Sequence, residues 1–161
     1  MGLDANADGM RAFSGRALRA RLGNVLYGRA ALADLPRELD GVANGLTIVL
    51  PWAGLLAAVT RPEPAALGAI RRLCRAGATL DVVLALDPRR DRAELQRLGL
   101  PALSIPELRL RAAPACEAAG LGLCEVRVLG REELAAWPST WARRLAHAHP
   151  RCVVHLAALA V

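Results

Sequence analysis

Two tryptophans stand where an aromatic side chain could stack on a flat base. Trp52 follows Pro51 directly after a predicted strand over residues 46–50, and Trp141 lies in a Ser-Thr-Trp motif within a polar insertion before the last predicted strand. Doubly wound α/β sheets bind ligands at the carboxyl ends of their strands, where an indole ring can stack on a base. A tryptophan after a strand also commonly belongs to a core. Each residue alone allows both interpretations, and the pair favours a base-binding site.

The basic side chains suit contacts with phosphate. All 21 basic residues are arginines, there is no lysine, and the formal net charge is +6. Guanidinium groups make forked contacts to phosphate and stack on bases, which favours an RNA partner. The codon bias of a GC-rich genome would also replace lysine by arginine, and for each single arginine a solvated helix face is the alternative. The candidates for phosphate contacts are Arg89, Arg90, Arg92, Arg143 and Arg144.

An acidic residue, Asp4, ends the first strand-like segment. A carboxylate at the carboxyl end of the second strand of a doubly wound sheet can accept hydrogen bonds from both ribose hydroxyls. Asp4, with Asn6 or Asp8, could instead cap the helix predicted to begin nearby. The residues alone leave both roles open.

Strand-like and helix-like segments alternate from end to end, which is typical of an α/β sheet with crossover helices. We predict strands at residues 1–4, 24–28, 46–50, 79–86, 123–129 and 151–159, and the Thr-Ile-Val run predicts that strand 46–50 is buried and parallel. The first predicted helix has Met10, Phe13 and Ala17 on its inward face. Further helices are predicted at residues 36–39, 63–74 and 90–98, and a last one ends near residue 119. Gly77 is expected to cap helix 63–74. The length predicts one domain over residues 1–161, with an insertion at 130–150.

Other classes of site find little support. The four cysteines form no C-x-x-C pair, so we expect reduced, mostly buried thiols. His147, His149 and His155 make no recognisable ligand set, and we expect surface or packing roles for them and no metal. No leader and no run of about 18 to 20 apolar residues is visible, which predicts a soluble, cytoplasmic protein without a membrane partner.

Several segments together resemble the methyltransferases that modify N1 of an adenine in the decoding site of 16S rRNA and so block aminoglycosides. They are GLDANA at 2–7, NVLY at 24–27, LPREL at 35–39, LPW at 50–52, RRLCRAGA at 71–78, LGLP at 98–101 and TWARRL at 140–145. The most specific parts are the Pro-Trp pair and the Ser-Thr-Trp insertion. The likeness extends from residue 2 almost to the end of the chain.

This resemblance implies a Rossmann-like class I sheet with an antiparallel last strand, S-adenosylmethionine as cofactor, and a monomer acting on 16S rRNA rather than DNA. By the same resemblance Trp52 and Trp141 sandwich the target adenine, which must leave its stack because N1 lies on the Watson–Crick edge. Ser139 supports that pocket and Arg151 holds RNA near the last strand. The implied cofactor-binding residues are Asp4, at the ribose, with Ala30, Ala31 and Pro51.

The chain departs from the family pattern in two ways. Leu50 and Ala53 stand where phenylalanine and glycine are usual, and Ala33 where an acid is common, which affects the cofactor pocket but neither tryptophan. In this fold a glycine-rich loop follows a central first strand and would lie about 20 residues before Asp4. We therefore expect an incomplete sheet with two unpaired inner edges and a weakened cofactor site.

Two alternatives remain open on the sequence. One is a shortened, catalytically inactive paralogue that binds RNA or a protein. The other is a small-molecule methyltransferase built on the same sheet, against which the paired tryptophans and the arginine-rich edge argue.

Overall fold

The computed structural model describes residues 1–102, 104–147 and 151–161. Its strands are β1 (Gly2–Asp4), β2 (Tyr27–Arg29), β3 (Ala43–Val49), β4 (Cys74–Leu86), β5 (Leu121–Val128) and β6 (Cys152–Ala160). Its α-helices are α1 (Ala7–Arg19), α2 (Ala53–Thr60), α3 (Pro64–Leu73), α4 (Arg92–Leu98), α5 (Ile105–Ala118), α6 (Arg131–Ala136) and α7 (Thr140–His147). Short 3₁₀ helices cover Leu32–Asp34 and Arg37–Leu39. The chain forms two compact units, Met1–Leu39 and Asp40–Val161.

The first unit is a small parallel β1–β2 pair joined by α1. The register runs from Gly2 opposite Tyr27 to Asp4 opposite Arg29. The helix begins at a cap, where the Asn6 side chain accepts a hydrogen bond from the Asp8 amide at 3.0 Å. Of the three residues predicted to face inward on α1, only Ala17 is buried. Two three-residue strands are too small to cover a helix face, and Phe13 is exposed beneath the Arg16 guanidinium, 5.0 Å from the ring centroid.

The second unit is built on a four-stranded sheet of order β3-β4-β6-β5. Strand β3 is parallel to β4, whereas β6 lies between β4 and β5 and is antiparallel to both. The prediction of an α/β sheet with an antiparallel last strand is therefore confirmed. The two inner strands, β4 and β6, supply the centre of the core, where Val83, Leu84 and Val154 are fully buried. They are continuous apolar runs because both faces of the sheet are covered.

Strand β3 was predicted to be buried, but its residues are only partly buried or exposed. None of its residues is buried, because β3 lies at the edge of its sheet. Within the described residues β1 pairs only with β2 and β3 only with β4. Each of these two strands therefore has one edge that no other described strand occupies.

Gly77 does not cap a helix. Helix α3 ends at Leu73, and Gly77 lies inside β4 with φ +77°. The register shifts there, since Cys74 pairs with Ala43 and Thr79 with Gly45. Glycine is favoured because this irregularity needs a left-handed backbone.

The cysteines follow the prediction only in part. All four are free, but Cys124 and Cys152 are exposed, whereas Cys74 and Cys116 are buried. Burial raises the pKa of the Cys74 and Cys116 thiols, which keeps both protonated and unreactive near neutral pH. Within the described part of the chain, no helix is long and apolar enough to cross a membrane.

Candidate functional site

The segment after β3 has a strained backbone on both sides of an exposed indole. Leu50 has φ +51° and Ala53 has φ +52°, a region that residues with a Cβ avoid at a cost of roughly 1–2 kcal/mol each. Between them Pro51 is buried, and Trp52 is extended and 53% exposed. The Leu50 amide donates a hydrogen bond to the Val83 carbonyl on β4 at 2.8 Å. Leu50 is therefore still bonded to the sheet, and the strained segment begins at its edge. Strain of this kind is commonly retained where a side chain must be presented for function.

We expect Ala53→Gly to raise the free energy of unfolding by about 0.5 kcal/mol. Glycine removes the Cβ clash at φ +52°, and this gain exceeds the entropy that glycine adds to the unfolded chain. Urea denaturation measures the difference. The control is Ala57→Gly in the middle of α2, which should lower stability by about 1 kcal/mol. If Ala53→Gly destabilises the protein as much as the control, the strain is not present.

The predicted insertion contains α6 and α7, and its residues 148–150 lie outside the described part. Ser139 caps α7, since its Oγ accepts a hydrogen bond from the Ala142 amide at 3.3 Å and its carbonyl accepts one from the Arg143 amide at 3.1 Å. Trp141 follows in the first turn and is 67% exposed. The Arg144 guanidinium lies 5.8 Å from the Trp141 ring centroid, within cation–π range. Ser139 therefore fixes the start of the helix that presents Trp141.

One apolar cluster joins the two tryptophan segments. Its buried members come from β4, the end of β5, the insertion and β6, and they are Val83, Leu129, Leu134, Ala142, Ala146 and Val153. Leu50 packs against this cluster two residues before Trp52, and Ala142 belongs to it next to Trp141. The segments that carry Trp52 and Trp141 are thus anchored on the same cluster through Leu50 and Ala142.

A turn after β4 carries two of the candidate arginines. The Asp87 carboxylate accepts hydrogen bonds from the Arg89 amide at 2.9 Å and the Arg90 amide at 3.2 Å. These backbone hydrogen bonds lower the pKa of Asp87, so the turn is stabilised at any pH above the usual aspartate range. The side chains of Arg89 and Arg90 are exposed on it.

Asp91 connects this turn to β6. Its carboxylate is 8% exposed and accepts hydrogen bonds from the Asp87 amide at 2.9 Å and from Arg151 Nη1 at 3.1 Å. Arg151 is therefore tethered beside the arginine-bearing turn. The sequence analysis identified Arg151 but not Asp91. A signal was present, because Asp87, Pro88 and Asp91 after the end of a strand are typical of a turn.

The remaining arginine candidates lie on the surface. Arg92 begins α4, Arg143 and Arg144 lie on α7, and all three side chains are exposed. Their charges are therefore available to an anionic partner.

In the first unit Asp4 is exposed and only partly used by the protein. Asp4 Oδ1 accepts a hydrogen bond from the Asn6 amide at 2.8 Å, while Asn6 rather than Asp4 caps α1. The other carboxylate oxygen accepts no hydrogen bond from the described residues, so it is suited to a ribose hydroxyl. The Ala30 amide donates to the Asp4 carbonyl at 3.0 Å, and Ala31 precedes a 3₁₀ helix.

The two histidines that the structure describes do not share a site. His147 is exposed, His149 lies outside the described residues, and His155 is buried against Asp81. Among the described residues, no group of three or more His, Cys, Asp or Glu could hold a metal ion.

Parallel strands with crossover helices, an antiparallel last strand and a carboxylate at the end of β1 define the α/β fold of class I methyltransferases. The family model described as NpmA: 16S rRNA (adenine(1408)-N(1))-methyltransferase matches residues 1–160. The chain belongs to this family.

Relatives with this description include one from Escherichia coli, 30% identical over 131 residues that cover 81% of this chain and 60% of the relative. Another, from Streptoalloteichus tenebrarius, is 32% identical over 148 residues, 89% of this chain and 67% of the relative. The chain thus spans between three fifths and two thirds of the length of these curated relatives.

Solved structures agree with this assignment. The aminoglycoside resistance methyltransferase NpmB1 is 36% identical with a TM-score of 0.80, covering 99% of this chain and 74% of that one. A mutant 16S rRNA (adenine(1408)-N(1))-methyltransferase from Catenulisporales acidiphilia is 28% identical with a TM-score of 0.84, at 99% and 75% coverage. A second mutant of that enzyme was solved with its cosubstrate SAM and has a TM-score of 0.80, 28% identity and coverage of 99% and 74%.

Proposed function

We propose that this protein transfers a methyl group from S-adenosylmethionine to N1 of adenine 1408 of 16S rRNA in the small ribosomal subunit, and so confers aminoglycoside resistance. The observation that carries the proposal is the pair of exposed tryptophans, Trp52 and Trp141, on two segments that are anchored on one apolar cluster. Exposed indoles presented by a strained turn and by a capped helix are suited to stacking on a base. The names of the relatives supply the identity of that base.

The two indoles hold the adenine outside the RNA helix. N1 is hydrogen-bonded and covered while the base is stacked, so the base must flip before N1 can react. Stacking on an aromatic side chain stabilises a flipped base by about 1 to 3 kcal/mol, and two rings would roughly offset the cost of unstacking. Ser139 contributes indirectly, because it caps the helix that carries Trp141.

Arginines on three segments hold the RNA backbone. Arg89 and Arg90 project from the turn after β4, Arg143 and Arg144 from α7, and Arg151 is tethered beside the turn by Asp91. Phosphate contacts fix the position of an RNA without reading its bases. These residues therefore set the place of the subunit, while Trp52 and Trp141 select the flipped nucleotide.

In the first unit, the residues that would hold the cofactor are Asp4, Ala30 and Ala31. The Asp4 oxygen that accepts no hydrogen bond from the described residues would bind a ribose hydroxyl, and the two alanines would line the adenine ring. Bound S-adenosylmethionine supplies an electrophilic methyl group on its sulfonium. The protein orients the neutral lone pair of N1 and requires no general base, since N1 carries no proton to remove.

The protein works as a monomer in the cytoplasm, where small subunits are found. Arginine-rich surfaces attract RNA through its phosphates, and this attraction weakens as salt is added.

Methyl transfer to purified small subunits tests the proposal. We expect label from tritiated S-adenosylmethionine in 16S rRNA, and a reverse-transcription stop next to adenine 1408 because N1-methylation blocks Watson–Crick pairing. Naked 16S rRNA and large subunits serve as controls. Tight binding to small subunits without transfer would instead favour an inactive RNA-binding paralogue, and label on a small molecule but not on RNA would favour a different substrate.

A further inference from the structure

A buried histidine lies beneath the insertion and has no role in the proposed chemistry. His155, on β6, is 7% exposed, and its Nε2 lies 2.8 Å from Asp81 Oδ1 on β4. The imidazole also contacts Trp137, with ring centroids 5.1 Å apart and planes at 65°. An edge-to-face contact of this kind has a preferred geometry and so restrains both rings. His155 is thus linked to a neighbouring strand on one side and to the insertion on the other.

The polar atoms of the two rings are complementary. When Asp81 accepts from Nε2–H, His155 Nδ1 carries a lone pair and can only accept. His155 Nδ1 and Trp137 Nε1 are both buried, and neither has a hydrogen-bond partner among the described residues. These two atoms do not bond to each other in this arrangement, so the contact between the rings is held by its edge-to-face geometry.

A cluster of charged side chains faces this pair from β5 and α6. Arg127 lies opposite His155 on β5, and its guanidinium is held by Glu125 at 3.0 Å and by Glu133 at 2.6 Å. Glu133 also accepts a hydrogen bond from the Gly130 amide at the start of α6 and interacts electrostatically with His155. Asp81 differs from these two acids because it is within hydrogen-bond distance of the imidazole.

Trp137 stands at the junction between α6 and α7. It is the C-cap residue that follows α6, and its carbonyl accepts a hydrogen bond from the Ser139 amide at 2.6 Å. Ser139 in turn caps the helix that presents Trp141. The position of Trp137 therefore sets where α7 begins.

We propose that His155, oriented by Asp81, is a positioning residue that fixes Trp137 and thereby the place at which Trp141 meets the substrate base. The proposal rests on the proposed function for its kinetic consequence, but its structural part can be tested without any activity.

The structural test uses a protein with Trp137 as its single tryptophan, made by Trp52→Phe and Trp141→Phe at exposed positions. In this background His155→Leu should raise the acrylamide quenching constant of Trp137 at least about threefold, because a junction that loses its edge-to-face partner opens to solvent. The control is Leu156→Ala, the next residue on β6, which is buried on the opposite face of the sheet. It should lower stability without changing the quenching. Equal quenching in both variants, or no change in either, would overturn the proposal.

Substitutions at Asp81 provide a second structural test. They should disturb the fold less than His155→Leu, because the Asp81 side chain is 31% exposed. Asp81→Leu should also raise the quenching constant, whereas Asp81→Asn keeps an acceptor oxygen and should leave it unchanged. If Asp81→Asn and Asp81→Leu behave alike, the hydrogen bond to His155 has no positioning role.

The kinetic test uses the protein with all three tryptophans. His155→Leu should raise KM for small subunits about tenfold, as expected when one stacking contact is misplaced, with kcat and the Kd for S-adenosylmethionine within about twofold. His155→Gln can still donate to Asp81 and should recover part of the loss. If the unmutated protein transfers no methyl group, the proposed function fails while the quenching experiment still decides the positioning role. A fall in kcat alone, with KM unchanged, would contradict it.

Discussion

Trp141→Ala should lower kcat/KM for small ribosomal subunits by about 10- to 100-fold, because a lost stacking partner costs about 1 to 3 kcal/mol. The side chain is 67% exposed, so the substitution removes little from the core. Trp52→Ala should have a similar effect. The Kd for S-adenosylmethionine, measured by calorimetric titration, should stay within about twofold in the Trp141 variant.

A matched control is Leu110→Ala, which removes an equally exposed apolar side chain from α5. It should leave methylation unchanged, and Trp141→Phe, which keeps a stacking surface, should recover most of the activity. Loss of cofactor affinity in parallel with activity would show that Trp141 supports the cofactor site rather than the base.

Arg151→Ala should lower the free energy of unfolding by about 2–3 kcal/mol, because it leaves the buried Asp91 carboxylate without its cation. This lies below the range for a fully buried pair, since 22% of the Arg151 side chain is accessible and solvent screens part of the interaction. Urea denaturation measures the loss. The double variant Arg151→Ala/Asp91→Ala should regain part of it, since no buried charge remains.

Arg89→Ala is the control for this prediction. Its exposed side chain should contribute less than about 0.5 kcal/mol to stability. Its removal should reduce the slope of the logarithm of the RNA-binding constant against the logarithm of salt concentration by the amount expected for about one phosphate contact. A stable Arg151→Ala protein with weakened RNA binding would mean that Arg151 serves the RNA alone and that its contact with Asp91 is incidental.

Local patterns in the sequence predicted the order of strands and helices well. Apolar periodicity is a short-range signal, and it located α3 and β6 to within one or two residues. The segments that present Trp52 and Trp141 were also recognised, because a strand end and a Ser-Thr-Trp cap are visible locally. The roles of these residues remain predictions.

Pairings between distant residues could not be predicted. Asp91 meets Arg151 across 60 positions, and Asp81 meets His155 across 74, so neither pair leaves a local pattern. The strained backbone at Leu50 and Ala53 escaped notice because their side chains do not favour a positive φ. The exposure of β3 followed from its place at the sheet edge, which propensity does not encode.

The central place of β6 has a consequence for how the protein is made. Synthesis delivers β3, β4, β5 and the insertion first, but β5 pairs only with β6 among the described strands, and Asp81 and Asp91 find His155 and Arg151 only when β6 emerges. Contacts between residues so far apart in sequence form slowly. Until β6 enters, the nascent second unit carries an open strand edge, and Asp81 and Asp91 lack their partners, so the unit is prone to association with other chains.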